Sequence, residues 1–204
     1  MKKQIKIKVA VTGNIGCGKS TFAKFLSDEG FPVLYADEIS KRILADDKQV
    51  RAEIIKVIGP SAFNGDKPDK KYIAASIFSD TIELKKINSI LHPKVRTEIE
   101  KLSQKYFQKT DIVFVEAALI FESKIEKMYD YVVLITSDFN LRMQRTMLTK
   151  KLSKTEFLQR EANQLDEDKK KKKSDFVFSN NTSTKDLQDK ALLLIKLLKS
   201  IVNQ

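Results

Sequence analysis

The chain has 204 residues, enough for one domain with an insert or for two small lobes. Its 42% hydrophobic and 32% charged content points to a soluble globular protein, and no apolar run approaches the roughly 18 residues of a membrane helix. A net charge of +11 attracts polyanions in general, whether nucleic acid, anionic lipid or nucleotide phosphate; the single cysteine, Cys17, excludes an internal disulfide and fits a reducing compartment.

The first predicted element is a strand, "IKIKVAVT" over 5–12. Lys6 and Lys8 interrupt any apolar signal core, so a cytoplasmic location is expected. A glycine-rich loop follows, and then "STFAKFLSDEG" predicts a helix with Phe22, Phe25 and Leu26 on one side and Gly30 as its stop. "FPVLYA" (31–36) is a short second strand. Roughly 75 residues then read mainly as helices, far beyond an ordinary connection, which makes an insert of about 38–110 large enough to form a substrate lobe. "IVFVEA" (112–117), "YVVLIT" (131–136) and "DFVFSN" (175–180) are further strands, with a helical excursion at about 149–173. A last helix, roughly 184–202, carries Leu187, Ala191, Leu194, Ile195, Leu198 and Val202 on its apolar side. Five strands alternating with helices imply an α/β domain spanning 1–204, with a mostly parallel sheet covered on both faces.

The loop is Gly13-Asn14-Ile15-Gly16-Cys17-Gly18-Lys19-Ser20, followed by Thr21, and it satisfies G-x-x-x-x-G-K-[ST] between a strand and a helix. Its glycines let successive backbone N–H groups face one concavity, and the helix behind adds its positive end. Lys19 supplies a point charge to the outer phosphates of a nucleoside triphosphate, and the Ser20 hydroxyl is a ligand for Mg²⁺. Cys17, next to a helix N-terminus and Lys19, is expected to be a reactive thiol that nucleotide shields.

Switches, motors or nucleic-acid translocases, and small-molecule kinases all use such a loop. No guanine-reading Asn-Lys-x-Asp is present, which sets aside the switches. Glu116 closes an apolar strand as a motor's acid would. A short chain with a large helical insert and an arginine-bearing second excursion fits a small kinase better, because a kinase must exclude water from its nucleotide. The alternatives kept open are a P-loop ATPase acting on nucleic acid and another nucleoside or nucleotide kinase. No nucleic-acid-binding motif or basic-aromatic stacking platform is visible, and the run Lys169 to Lys173 reads most simply as a solvated tail.

Several segments together resemble the dephospho-coenzyme A kinase family. "VLYADEISKRI" carries the family's second acid as Asp37, with Tyr35 at the place of the first. "LHP" is Leu91 to Pro93, and "ALIFE", Ala118 to Glu122, resembles the family's "PLLFE" with Ala118 in place of proline. The lid pattern reads Arg160, Gln164, "EDK" at 167–169, Asp175 and Asn180, without the glycine that often follows the asparagine. The resemblance runs from residue 9 to about 181. It implies a P-loop kinase three-layer sandwich and ATP-dependent phosphorylation of the ribose 3′-hydroxyl of dephospho-coenzyme A, with ATP and Mg²⁺, and no membrane or obligate protein partner.

Asp37 lies just past the second strand, where a helix N-cap and a catalytic base are both possible readings; the resemblance makes it the base or orienter of the acceptor hydroxyl. Arginines in the lid pattern neutralise the transferring phosphoryl group, which selects Arg145 and Arg160 and leaves Arg142 as a solvated helix residue. The resemblance also implies that Asn180 joins Gly13 to Thr21 in holding nucleotide. His92, followed by Pro93, reads as a helix-cap residue, and the resemblance implies a place near the acceptor pocket.

Overall fold

The computed structural model describes residues 5–79 and 81–203. The strands form where the sequence is continuously apolar. They are β1 (Ile7–Thr12), β2 (Val33–Tyr35), β5 (Ile112–Glu116), β6 (Tyr131–Thr136) and β7 (Phe176–Ser179), in one sheet of order β2-β5-β1-β6-β7. Its strands run parallel, and β1 pairs with β5 (Val11 opposite Glu116) and with β6 (Val11 opposite Val133). Successive strand residues face opposite sides. On one side lie Ile7, Val9, Val11, Phe114, Val133 and Ile135, packed with Phe22 and Leu26 of α1 (Lys19–Asp28) and the apolar stripe of α9 (Thr184–Val202). The alternate residues Ala10, Val113, Val115, Val132 and Leu134 are buried as well, so both faces of the sheet are covered, as a parallel sheet requires. Each large apolar side chain buried this way contributes roughly 1.5–3 kcal/mol.

Local signals set the element ends. After α1 the chain reverses at Gly30 (φ +86), with the Phe31 N–H donating to the Leu26 carbonyl at 3.2 Å. Ser183 caps α9 by accepting from the Asp186 N–H at 3.1 Å.

The chain divides into two compact units, residues 1–34 with 103–204, and residues 35–102. The second comprises α2 (Ala36–Asp46), α3 (Lys48–Ile58), a short hairpin of β3 (Phe63–Asn64) and β4 (Lys67–Pro68), α4 (Lys70–Ser79) and most of α5 (Thr81–Tyr106). Its own core gathers Val50, Ile54, Ile58, Phe63, Ile73, Ile87 and Leu91. The hairpin is absent from the mainly helical reading of this segment; it turns at Gly65 (φ +56), too short a signal to stand out from flanking helices. His92 and Pro93 do not cap a helix. Both lie inside α5, where Pro93 removes a single backbone bond from a long helix. In the first unit, α6 (Phe139–Lys150), α7 (Lys154–Ala162) and α8 (Glu167–Lys171) lie between β6 and β7, and Ser153 with Glu156 forms a capping box that starts α7.

Candidate active site: a phosphate loop and the segments that hold it

Residues 13–20 join the carboxyl end of β1 to α1. Gly18 is the N-cap of α1 with φ +93, and no side chain caps this helix end and no acid stands in its first turn among the described residues. The first N–H groups and positive end of α1 are therefore disposed toward an anion supplied from outside. Lys19 opens the helix, with its side chain largely buried at 8% exposure, and the Ser20 and Thr21 side chains are exposed.

Glycine is required here for contact as well as conformation. A Cβ on Gly16 (φ +78) would strike the Arg142 carbonyl and Thr146 Oγ1 of α6, and one on Gly18 would strike Asn180 Nδ2. Asn180 is buried, and its Nδ2 donates to the Cys17 carbonyl at 2.8 Å. The peptide plane is trans, so a Cys17 C=O turned outward to Asn180 turns the Gly18 N–H the opposite way, toward the loop interior. Asn180 thus grips the loop from behind. Its own carbonyl accepts from Ser137 Oγ at 2.9 Å and from Arg145 Nη1 at 2.8 Å, while Arg145 Nη1 also reaches Ser137 Oγ at 3.1 Å. These acceptors are neutral oxygens, and no carboxylate pairs with Arg145 among the described residues.

Three expectations are corrected. Arg142 is not a solvated helix residue: it is 4% exposed, with Nε donating to the Ser137 carbonyl at 2.9 Å and two nitrogens gripping Glu161 at 2.7 and 2.8 Å. Burial by itself would weaken both charges; the mutual hydrogen bonds and charge attraction outweigh it, holding the Glu161 carboxyl below its usual range and the Arg142 guanidinium above its own.

The lysine run is not uniformly solvated. Lys170 is fully buried, and its ammonium lies 2.7 Å from Glu122 Oε1, a charge contact whose angle falls outside hydrogen-bond geometry. The same Glu122 oxygen accepts from the Leu165 N–H at 2.7 Å, so the acid of "ALIFE" anchors the segment between α7 and α8. Lys169, Lys171, Lys172 and Lys173 are exposed.

Cys17 is not an activated thiol. It is 0% exposed within the core cluster, and burial pushes the thiol up despite the lowering influence of Lys19.

The remaining expected site residues lie as follows. Asp37 is an exposed residue in the first turn of α2, whose N-cap is Tyr35. Capping is therefore not its role. Arg160 is half-buried in the last turn of α7. His92 is half-buried in α5, in the other unit from the loop; burial, and then Arg96, push its imidazole below its ordinary value.

Asp175 tethers β7 to β6 by accepting from the Val132 N–H at 2.7 Å. Gln164 Oε1 accepts from the Ile15 N–H at 2.7 Å, and Asn14 Nδ2 donates to Glu161 Oε1 at 3.2 Å. A cavity of about 520 Å³ opens beside this contact, lined by Asn14, Arg142 and Glu161 among others.

Ser137, Glu161 and the particular importance of Arg142 and Lys170 escape the sequence reading. Glu161 and Arg142 are 19 positions apart on different helices, and nothing in a five-lysine run marks its second member. The local clue is that Glu161 lies between Arg160 and Gln164, the first two members of the lid pattern.

The chain is similar to known proteins. The sequence pattern of the family described as "Dephospho-CoA kinase" matches residues 7–186. A dephospho-CoA kinase of Helicobacter pylori is 33% identical over 196 residues, covering 95% of this chain and 98% of its own. The structure of dephospho-CoA kinase from Campylobacter jejuni superposes with a TM-score of 0.72 at 28% identity, covering 95% of this chain and 98% of that one. A shikimate kinase from Acinetobacter baumannii, at TM-score 0.53 and 15% identity over 97% of this chain and 95% of its own, shares the P-loop kinase fold alone. No helix among the described residues is long and apolar enough to cross a membrane. With its phosphate loop, its Asn180 brace and a match along nearly the whole sheet, the chain belongs to the dephospho-CoA kinase family.

Proposed function

We propose that the protein transfers the γ-phosphoryl group of ATP to the ribose 3′-hydroxyl of dephospho-coenzyme A, giving coenzyme A and ADP in the cytoplasm. The observation that carries the reading is the uncapped N-terminus of α1, opened by Gly18 and Lys19. It offers backbone N–H groups and one ammonium to the β- and γ-phosphates.

The roles follow from chemistry. The acceptor hydroxyl oxygen attacks the γ-phosphorus, the bond from that phosphorus to the bridging oxygen of ADP breaks, and the hydroxyl proton passes to an acceptor. Asp37, exposed and free of a capping role, supplies that acceptor or orients the hydroxyl. Charge builds on the transferring oxygens, and Arg145 and Arg160 stabilise it. Arg145, held by neutral oxygens alone, keeps its charge available.

Ser20 presents an exposed hydroxyl beside Lys19, a hard oxygen donor that fits a Mg²⁺ taking its other ligands from phosphate and water. A Mg²⁺ held there by Ser20 would supply charge neutralisation to the phosphates. The unit of residues 35–102, with His92, would supply the acceptor lobe, and α7 and α8 the lid that keeps water from the nucleotide.

The test is a coupled assay of ADP release with dephospho-coenzyme A, with DNA or RNA, or with neither. Turnover that needs dephospho-coenzyme A and yields its 3′-phosphate is expected. ATP turnover stimulated by nucleic acid and indifferent to dephospho-coenzyme A would overturn the proposal.

A further inference from the structure

Arg142 is buried and its partner Glu161 only 21% exposed, and the pair calls for an explanation that stability does not supply. Taking two charges out of water is costly, and well-packed apolar residues would serve the fold as well or better. What the pair gives is orientation. Arg142 Nη1 donates to the Ile15 carbonyl at 3.3 Å, and Gln164 Oε1 accepts from the Ile15 N–H at 2.7 Å, so both backbone groups of one loop residue are held by side chains outside the loop. Glu161 Oε1 also takes Asn14 Nδ2 at 3.2 Å, and Gly16 lies directly against α6. Three consecutive loop residues, 14 to 16, are fixed from the α6–α7 side.

Planarity gives the consequence. With the Ile15 C=O drawn outward to Arg142, the Gly16 N–H on the same peptide plane points the other way, toward the loop interior. Asn180 does the same for the Gly18 N–H through the Cys17 carbonyl. We infer that Arg142 and Glu161 are positioning residues: together they aim the Gly16 N–H at the bound phosphates and fasten α7 to the nucleotide loop, so that nucleotide binding and docking of α7 are coupled. Arg142 is suited to this because a planar guanidinium can hold Ser137, Ile15 and both Glu161 oxygens at once, which an ammonium cannot. The inference rests on the loop taking nucleotide, and its test reads nucleotide binding rather than turnover, so a wrong acceptor assignment would leave it standing.

The experiment compares wild type with Arg142→Lys, Glu161→Gln and the double variant, titrating each with Mg-ADP by calorimetry and measuring KM for both substrates. Each single variant is expected to bind Mg-ADP about tenfold more weakly, the usual scale for losing a charge-assisted bond, with KM for the acceptor within about twofold of wild type. The double variant should lose no more than the worse single, because the pair acts as a unit. Variants that are folded but less heat-stable, with unchanged Mg-ADP affinity, would reduce the pair to a structural contact and overturn the inference.

Should both singles fail to fold, the wild type decides. Coupling is reciprocal, so saturating Mg-ADP should slow amide exchange along α7 (Lys154–Ala162) and at Ile15 together. Exchange in α7 that is indifferent to Mg-ADP overturns the proposal.

Discussion

Lys170 offers the sharpest test of what holds the segment between α7 and α8. Its side chain is fully buried, and its ammonium sits 2.7 Å from Glu122, an acid left only 16% exposed. Replacing Lys170 with Gln removes the cation and leaves Glu122 carrying an uncompensated charge away from most solvent. Breaking a buried pair from one side costs about 3–5 kcal/mol, and the residual exposure of Glu122 argues for the lower end, about 3 kcal/mol. At this chain length that is a fall in melting temperature of roughly 6–12 °C.

Lys172→Gln, two residues on and exposed, should change stability by less than about 0.5 kcal/mol. The double variant Lys170→Met with Glu122→Gln removes both charges while leaving an oxygen to accept the Leu165 N–H, and should recover more than half of the loss. Urea unfolding and thermal melts of the four proteins make the comparison. If Lys170→Gln is no more damaging than Lys172→Gln, the buried pair does not hold the segment between α7 and α8. If the double variant is worse than the single, the loss is of packing and not of charge balance.

Asp37→Asn should leave nucleotide affinity intact and lower turnover by about 10²-fold or more, as loss of a general base does; near-normal kcat would remove Asp37 from the chemistry. Cys17 should resist a thiol reagent in the native protein with or without Mg-ATP and react only on unfolding, because it is buried and its thiol is pushed up; prompt labelling of native protein would contradict its place in the core. His92 has its folded pKa depressed, by burial first and Arg96 second. The unfolded chain therefore binds the proton first: stability is level above the unfolded value near ~6.5 and declines as pH falls below it. His92→Gln should flatten that decline in urea midpoints measured across this range, and an unchanged slope would refute the assignment.

The chemistry-bearing loop was legible because its information is local. Eight consecutive residues fix glycine positions, a lysine and a hydroxyl between a strand and a helix, and contiguous residues cannot be far apart. The strands were legible for a similar reason, since "IVFVE" and "YVVLIT" are apolar on both faces and only a sheet covered on both sides buries them. The family likeness extended this to Gln164 and Asn180, which the fold brings against the loop, because a pattern in order carries spacing from residue 9 to about 181.

Tertiary structure alone decided which charges are buried. Arg142 and Arg145 sit one helical turn apart with the same side chain, yet one is paired with Glu161 and the other is held by the neutral oxygens of Ser137 and Asn180. Five adjacent lysines differ in the direction each leaves α8 or the turn that follows it, and that direction puts Lys170 on Glu122 and its neighbours in water. Cys17 has the sequence surroundings of a reactive thiol, but the loop turns its sulfur into the core. Composition and periodicity count charges and apolar faces; a charge's environment depends on what the rest of the chain brings against it, and 19 to 163 positions separate the partners that matter here.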